Sequence, residues 1–476
     1  MYMRIMFMHS KLLFVTGLIW VCTFMNPILG QDTIRILTEE QFLAIVKTNH
    51  PIAKQSDLLV KQANAQLLEA RGLFDPFFMF DNQRKTFDGK TYFNYSNGEV
   101  SVPTWYGVSL YTGIENNTGD FINTELTKNK SSYAGVSIPL VKDLVLDKRR
   151  AVLQQSKLFL RQSRSERRNL LNDLFLEAYQ AYWNWARNYQ TYLIVGNTIR
   201  INEFRYELVK QSFEQGDRAA IDTSEALAQL LQFQQQREEA WLNFKKSSFE
   251  LSVFLWSQNQ PVYLTERVIP DTIWSKQTFQ QVLLPPINEW VSNIAQHPKL
   301  QMLDFKQQSM EVERKLKFQS MLPKVNLKYN FLQSGYDPLK GVGLNFMDNN
   351  YKFGLNVAVP VPNRNGIGQY RSAKIKVQAI ELDRLYMQST IENKIFYYYN
   401  EVSNLRKQIE IVEQARKQYQ ALFDAEFLKF GLGETTLFLM NMRENKLLEV
   451  DRKLIELKAK YIQSVASLNW AAGRLN

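Results

Sequence analysis

The 476-residue sequence has a single cysteine, Cys22, which stands in an apolar segment near the N-terminus. The rest of the chain therefore cannot form an internal disulfide bond. A chain of this length without disulfides is stabilised by extensive packing, by association of subunits or by a membrane, which excludes the small disulfide-stapled folds. Thiol nucleophiles and cysteine-based metal sites are excluded as well.

Long apolar runs are scarce and occur only near the N-terminus. Basic residues precede an apolar core from Leu12 to Met25, and the small Gly30 stands before Gln31. This layout is typical of secretory signals and predicts a signal peptide at residues 1–30. No later run approaches about twenty apolar residues, so the sequence offers no further transmembrane helix. Any membrane insertion would have to use strands.

The side chains on which most catalysis depends are also few. Outside the predicted signal the only histidines are His50 and His297, and each precedes a proline, as expected of residues that begin a helix. The glycine pairs at 341–343 and 366–368 do not lie in a strand-to-helix phosphate loop. We therefore predict that the protein is not an enzyme and has no catalytic residue, no metal site and no cofactor.

The balance of charge is basic, with a formal net charge of +11. The densest basic segment recurs at helical spacing without aromatic residues arranged between the charges for stacking on bases. It predicts a helix face exposed to solvent or to lipid headgroups, and no nucleic-acid partner. Its residues are Lys148, Arg149, Arg150, Arg161, Arg164, Arg167 and Arg168.

Proline is absent from two very long stretches, from 140 to 260 and from 363 to the end. This absence permits helices much longer than the average of about a dozen residues. Apolar residues in both stretches alternate spacings of four and three, which predicts heptad seams and coiled-coil packing. The seams are Leu171, Phe175, Ala178, Tyr182, Trp185, Tyr189 and Tyr192, and then Ile391, Ile395, Tyr398, Val402, Leu405, Ile409 and Val412.

The same order of features occurs twice along the chain. His50-Pro51 corresponds to His297-Pro298, and the same offset relates Pro76 to Pro323. A helix, a polar strand-like stretch and a long helical run follow in each case. A unit of roughly two hundred residues is too long for a solenoid repeat, so we predict two fused copies of one half-structure.

We place the two structural repeats at 31–280 and 281–476. Each has a strand region with alternating apolar residues, at about 77–139 and about 324–361. The first region is longer, which predicts either longer loops or an added strand pair around 104–116.

One glycine interrupts each long helical run and predicts a hairpin tip. Gly216 and Gly431 suit the left-handed position that follows a helix. Asp222 with Glu225 three residues later could cap one returning helix, and the Thr435-Thr436 pair could cap the other.

These features together resemble an outer membrane efflux protein of the TolC family. The resemblance rests on the Leu37-Thr38-Glu39-Glu40 opening, on Asn49-His50-Pro51, on the strand ends 135–140 and 354–360, and on the glycine-marked tips. It implies a mainly α fold with a β-barrel portion and long antiparallel coiled-coil helices. The family forms a homotrimer in which each subunit gives two β-hairpins, or four strands, to a shared twelve-stranded barrel.

The resemblance also implies a function and partners. The chain would be an outer membrane channel-tunnel of a tripartite efflux or type I secretion system, a passive conduit opened by untwisting of its periplasmic helical hairpins. Its partners would be a periplasmic adaptor protein, an inner-membrane pump and outer membrane lipid. The alternative is a periplasmic coiled-coil adaptor or scaffold, which would give no reason for two aromatic strand regions.

In the family the hairpin tips form the closed entrance. The resemblance places an entrance aspartate at Asp222, with Arg218 and Glu225 beside it, and Glu434 is the candidate of the second tip. Three copies of Asp222 around a pore would repel one another and favour cations, and Arg218 could offset this by pairing. The alternative role of Asp222 is to cap its helix.

The second tip departs from the family's pattern. The family's charged positions fall at Gly433, Leu437 and Met440 of this sequence, so a paired polar latch is missing at these positions. We therefore expect more apolar contacts there, with Gly431 and Gly433 marking the tip.

Overall fold

The computed structural model describes residues 34–277, 284–336 and 350–475. The predicted signal peptide at 1–30, Cys22 and the glycine pair at 341–343 lie outside the described residues.

The described residues begin with a short strand and two helices joined at His50. Thr38 and Gln41 form a reciprocal capping box at the first helix, in which the Thr38 hydroxyl accepts from the Gln41 N–H at 3.3 Å. The second helix has Pro51 at its first position, where the missing N–H costs no hydrogen bond. The elements are β1 (Arg35–Leu37), α1 (Glu39–Asn49) and α2 (Pro51–Gly72).

Four strands follow, then a helical hairpin. Asp88 and Gly89 join the first two strands with positive φ at both positions, the geometry of a two-residue hairpin turn. Asp147 caps the first long helix by accepting from the Arg150 N–H at 2.8 Å. The elements are β2 (Phe77–Phe87), β3 (Lys90–Pro103), β4 (Ser109–Thr118), β5 (Asn129–Pro139), α3 (Lys148–Glu214) and α4 (Ala220–Ser252).

The remaining elements follow the same order with two strands instead of four. A connecting segment pairs β8 with β1 in parallel, Val268 opposite Arg35. The elements are β6 (Trp256–Ser257), β7 (Gln260–Pro261), β8 (Val268–Pro270), α5 (Ile287–Ser292), α6 (Pro298–Gln319), β9 (Lys324–Ser334), β10 (Tyr351–Ala358), α7 (Arg364–Gly431) and α8 (Leu437–Ala471).

Corresponding helices in the two parts of the chain have nearly equal lengths. α2 and α6 have 22 residues each, α3 and α7 have 67 and 68, and α4 and α8 have 33 and 35. At 1.5 Å per residue, α3 and α7 are each about 100 Å long. The division into repeats at 31–280 and 281–476 stays a prediction.

The main sheet corrects the expected number of hairpins. Its strand order is β2-β3-β4-β5-β9-β10, with antiparallel neighbours throughout, so the described chain gives three hairpins to this sheet instead of two. The added strand pair is β3 and β4, which was one of the two alternatives for the longer first region. The pair forms because two tight turns, at 88–89 and 104–108, each reverse a segment that keeps its strand alternation.

The two faces of this sheet differ in polarity. Residues opposite one another on neighbouring strands share a face. One face is apolar near the helical end, with Phe78, Phe80, Val100, Leu110, Val136, Leu327, Phe331, Phe353, Leu355 and Val357. The other is mainly polar, with Asp81, Asn97, Glu99, Glu115, Ser137, Asn326, Lys328 and Lys352.

Both predicted heptad seams form the core of the helical part. Trp185 and Ile395 are fully buried, and Tyr192 contacts Trp241 of α4 with ring centroids 5.3 Å apart. Val402, Leu405 and Ile409 pack on α8. The fold class of long coiled-coil helical hairpins with a strand portion is confirmed. Among the described helices, none is long and apolar enough to cross a membrane.

The two histidines begin helices, as the sequence predicted. The His297 Nδ1 accepts from the Lys299 N–H at 3.1 Å, and His50 caps α2 in the same way through Ile52 at 3.3 Å. Burial is the main cause that lowers the pKa of His297 to about 4, and the charge of Lys299 adds to it. The cap needs the unprotonated Nδ1.

We expect His297 to make stability depend on pH. The pKa of His297 is about 4 in the folded chain and about 6.5 when unfolded, so its contribution is complete above pH 6.5 and is lost as the pH falls towards 4. His297→Asn keeps a capping side chain that does not titrate. The melting temperature should fall less between pH 7 and pH 4.5 in the variant than in the wild type. The difference corresponds to about 2–3 kcal/mol per chain. Equal decreases in both proteins would contradict this role.

Candidate functional site: the hairpin tips and the polar seam between them

Both helical hairpins turn through the same backbone motif. At the first tip the Gly216 N–H donates to the Phe213 carbonyl and the Asp217 N–H to the Ser212 carbonyl, both at 2.9 Å. At the second tip Gly433 and Glu434 make the equivalent bonds to Phe430 and Lys429, at 3.2 and 2.9 Å. This is the Schellman motif, in which a left-handed residue ends the helix.

The structure moves the second tip by two residues. Gly216 has a φ of +85° and Gly433 a φ of +75°, whereas Gly431 is the last residue of α7. The prediction that Gly431 occupies the left-handed position was therefore wrong. Gly433 takes the left-handed position because it stands three residues after Phe430, as Gly216 does after Phe213.

Arg218 lies between the two hairpins. One guanidinium nitrogen donates to the carbonyl of Phe430 at 3.2 Å, and the group lies over the Phe430 ring at 4.0 Å from its centroid. Another guanidinium nitrogen is 3.7 Å from the Asp222 carboxylate, an ion pair within the first tip. Arg218 thus connects Asp222 to the second hairpin.

Asp222 does not cap its helix. α4 begins at Ala220 with Ala219 as the capping residue, and no side chain accepts a hydrogen bond there. Asp222 lies in the first turn, where a carboxylate interacts favourably with the helix dipole. At the second tip Thr436 does cap α8, accepting from the Leu439 N–H at 3.3 Å, as predicted.

The other two gate candidates lie in different surroundings. The Glu225 carboxylate accepts from the Asn441 side chain of α8 at 3.1 Å, so Glu225 links the two hairpins. Glu434 is exposed in the turn. Arg218, Asp222 and Glu225 are thus close to one another, and Glu434 is at the neighbouring tip. Their role in a gate stays a prediction.

One turn farther from the tips, a buried ion pair joins α3 to α8. Arg205 and Glu444 form two hydrogen bonds, at 2.7 and 3.0 Å, and each side chain is only 6% exposed. Asn202 donates to the same carboxylate at 3.1 Å, and Asn441 accepts from Arg205 at 3.3 Å. Because both charges are buried, the pair depends on these hydrogen-bond partners.

A second polar pair extends this layer to α4. Gln229 and Asn445 exchange side-chain hydrogen bonds at 3.0 and 3.4 Å. Residues of α3, α4 and α8 therefore form one continuous contact between the hairpins, which we call the polar seam. The polar seam comprises Asn202, Arg205, Glu225, Gln229, Asn441, Glu444 and Asn445.

Apolar layers lie on both sides of the polar seam. Towards the tips, Leu437 and Met440 are buried against Val209 and Ala226. This confirms the expectation of apolar contacts at those two positions of the second tip. Away from the tips, a cluster of Val195, Ile199, Leu230, Phe233 and Leu448 is buried. The layers exclude water from the charges between them.

The polar seam was not predicted from the sequence, although a signal for it is present. Val195, Ile199, Asn202, Arg205 and Val209 follow core spacing along α3, and two of them are polar. Asn441 and Glu444 similarly follow Leu437 and Met440 on the buried side of α8. Polar residues at core positions of a coiled coil indicate a specific partner, but the sequence does not name it.

An open groove runs beside the polar seam between α3 and α7. Its walls carry Ile201, Phe204 and Leu208 from α3 and Phe427 from α7, all partly or largely exposed. Arg200 and Arg218 add positive charge at its edges. The groove is therefore an apolar surface with a basic rim.

The two glycines of the second tip should respond differently to alanine. Gly433→Ala should destabilise the protein by about 1–2 kcal/mol, because a Cβ is unfavourable at positive φ. Gly431→Ala is the matched control and should be neutral or stabilising by up to about 1 kcal/mol, since alanine favours helix and open space surrounds the position. Thermal unfolding measures both, and destabilisation by Gly431→Ala would contradict the assignment.

Breaking the buried ion pair should be costly. Arg205→Ala leaves Glu444 buried without its charged partner and should destabilise the protein by about 3–5 kcal/mol. Arg205→Met with Glu444→Leu removes both charges and should recover most of that stability. Arg167→Ala, at the exposed pair with Asp57, is the control and should change stability by less than about 1 kcal/mol. Equal effects at the two sites would contradict the role of the pair.

The family comparison covers the second part of the chain. Residues 291–474 match the family model described as "Outer membrane efflux protein". Comparison with curated proteins finds no significant match. The resemblance stated from the sequence is thus confirmed by an independent family model over this range.

Solved structures extend the likeness to nearly the whole chain. The Campylobacter jejuni CmeC outer membrane channel aligns with a TM-score of 0.63 at 14% identity, covering 91% of this chain and 85% of that one. The outer membrane protein VceC of Vibrio cholerae aligns with a TM-score of 0.62 at 14% identity, covering 91% and 95%. The open state of the Neisseria gonorrhoeae MtrE outer membrane channel aligns with a TM-score of 0.63 at 13% identity, covering 92% and 89%.

The structural alignments establish the fold. At 13–14% sequence identity they do not transfer the activity of any one relative to this chain. The chain thus matches the outer membrane efflux protein family over residues 291–474 and has the fold of the outer membrane channels along most of its length.

Proposed function

We propose that the protein is the outer membrane channel of a tripartite efflux or type I secretion system. The observation that carries this proposal is the joining of a sheet with one apolar and one polar face to helices about 100 Å long. An apolar outer face suits lipid and a polar inner face suits an aqueous passage. The long helices would continue this passage from the sheet into the periplasm.

One copy of the chain cannot close this passage. Among the described residues its main sheet has two open edges, which lipid does not tolerate. We propose the homotrimer implied by the family, embedded in the outer membrane with its helices in the periplasm. Three copies then place six helical hairpins around one axis.

The polar seam provides the contact that a gate must release. Opening by untwisting separates the second hairpin from the first, and Arg205–Glu444, Glu225–Asn441 and the Arg218–Phe430 contact join these hairpins. Because separating a buried ion pair leaves both charges without their partner, the pair favours two discrete arrangements over a gradual one. We propose that Arg218 and Asp222 lie at the entrance beside it.

The partners follow from the same arrangement. The groove between α3 and α7 opens near the tips, where a periplasmic adaptor protein and an inner-membrane pump would engage. Its apolar walls and basic rim suit the face of an amphipathic helical hairpin with acidic residues. The conduit itself is passive, and cargo selection belongs to these partners.

The alternative is a periplasmic coiled-coil adaptor or scaffold. Such a protein also has long helical hairpins but has no use for an exposed apolar sheet face. Phe78, Phe353 and Leu355 are each more than half exposed on that face, which favours the channel.

Three measurements test the channel function. We expect the protein in outer membrane fractions, a three-fold particle with a helical tube about 100 Å long by electron microscopy in detergent, and ion conductance in planar bilayers. A compact monomer in the soluble periplasmic fraction would exclude the channel.

Asp222→Ala tests the entrance. Removing the carboxylate removes a ring of three negative charges, so we expect lower cation selectivity and altered single-channel conductance in planar bilayers. Glu238→Ala is the control, because Glu238 is exposed on α4 far from the tips. If Asp222→Ala changes thermal stability but leaves selectivity and conductance unchanged, Asp222 has no role in the pore.

A further inference from the structure

The two edge strands of the main sheet point in opposite directions along the molecule. β2 starts at Phe77, near the end of α2, and runs away from the helices, whereas β10 ends at Ala358 and leads back to α7. In the described part of the chain, each pairs with a neighbour on one side only. A copy placed beside this one can therefore pair its β2 with β10 in antiparallel orientation.

The strands of one copy are already staggered as in a cylinder. The row of paired residues that begins at Phe77 crosses the sheet through Gly135 and reaches Lys352 in β10. Lys352 stands six residues before Ala358, the end of β10 nearest the helices. Six residues of about 3.3 Å over five strand spacings of about 4.8 Å give a tilt of about 40°. Closed membrane barrels have strand tilts of about 35–45°.

The added strands, β3 and β4, pair regularly within the main sheet. β3 and β4 pair along ten residues each and carry the same alternation of apolar and polar faces as their neighbours. Their turn lies at the helical end, where Trp105 stacks on Phe74 with centroids 4.3 Å apart. The turn thus packs on the end of α2, and the pair continues the sheet between β2 and β5.

We propose that every copy contributes all six strands to the shared wall, with β2 of one copy paired to β10 of the next. This inference rests on the proposed trimeric channel, and it gives a barrel of eighteen strands in place of twelve. Because barrel diameter grows roughly linearly with strand number, the outer membrane pore is about one and a half times as wide as a twelve-stranded one.

The stagger also gives the register of the new pairing. Aligning the helix-side ends sets Ala358 opposite Phe77 of the next copy. Leu355 then faces Phe80 on the apolar side, which keeps the apolar face continuous around the ring. The polar faces meet in the same way.

Paired cysteines test the junction in a chain whose only cysteine, Cys22, is first replaced by Ala. Phe80→Cys with Leu355→Cys should form disulfides between copies under mild oxidation in outer membranes, and should convert most of the protein to a covalent trimer on non-reducing gels. Within one copy these positions are five strands apart, roughly 24 Å, which is too far for a disulfide.

Two further pairs give the controls. Met79→Cys with Leu355→Cys places the thiols on opposite faces and should not cross-link. Asn82→Cys with Leu355→Cys tests the register shifted by two residues, and cross-linking through this pair alone would overturn the register. Absence of covalent oligomers from both same-face pairs would overturn the edge pairing.

Counting the strands tests the number directly. A cross-section of the wild-type particle by electron cryo-microscopy should show eighteen strands. Twelve strands in a three-fold particle would overturn this inference and leave the proposed channel intact. A particle without three-fold symmetry or strand wall would overturn both.

Discussion

The packing of very long helices along continuous apolar seams is the interaction on which the rest of the structure depends. Along its length α3 packs on α1, α4 and α8, and α7 packs on α8. Aromatic side chains such as Tyr182 and Trp185 fill the first seam and contact α1 and α4 at the same level. A seam of this length fixes the strands at one end and the tips at the other at a distance of about 100 Å.

The polar seam is the exception within this apolar packing. A buried Arg205–Glu444 pair adds little to stability compared with apolar residues of the same volume, so its physical value is specificity. It fixes the register between two hairpins that apolar contacts alone would allow to slide. The Schellman turns give both hairpin tips the same hydrogen-bonded backbone.

The strand region shows how two tight turns add a strand pair to a sheet. A two-residue turn at Asp88-Gly89 and a second turn beside Trp105 add a strand pair without changing how β5 leads into α3. The paired insertion preserves the alternation of strand direction, which an insertion of one strand would not. The two edge strands therefore keep the antiparallel relation on which the proposed pairing between copies depends.

The sequence by itself determined the long helices, both heptad seams, the strand regions and the helix caps at His50, His297 and Thr436, because each depends on local spacing and residue type. It also indicated the family. Only the tertiary structure decided between loops and an added strand pair, showed that Gly433 and not Gly431 takes the left-handed turn, and brought Arg205 to Glu444, more than two hundred residues away. These features depend on which distant segments meet, and a periodic pattern specifies that a face is buried without specifying the residues that cover it.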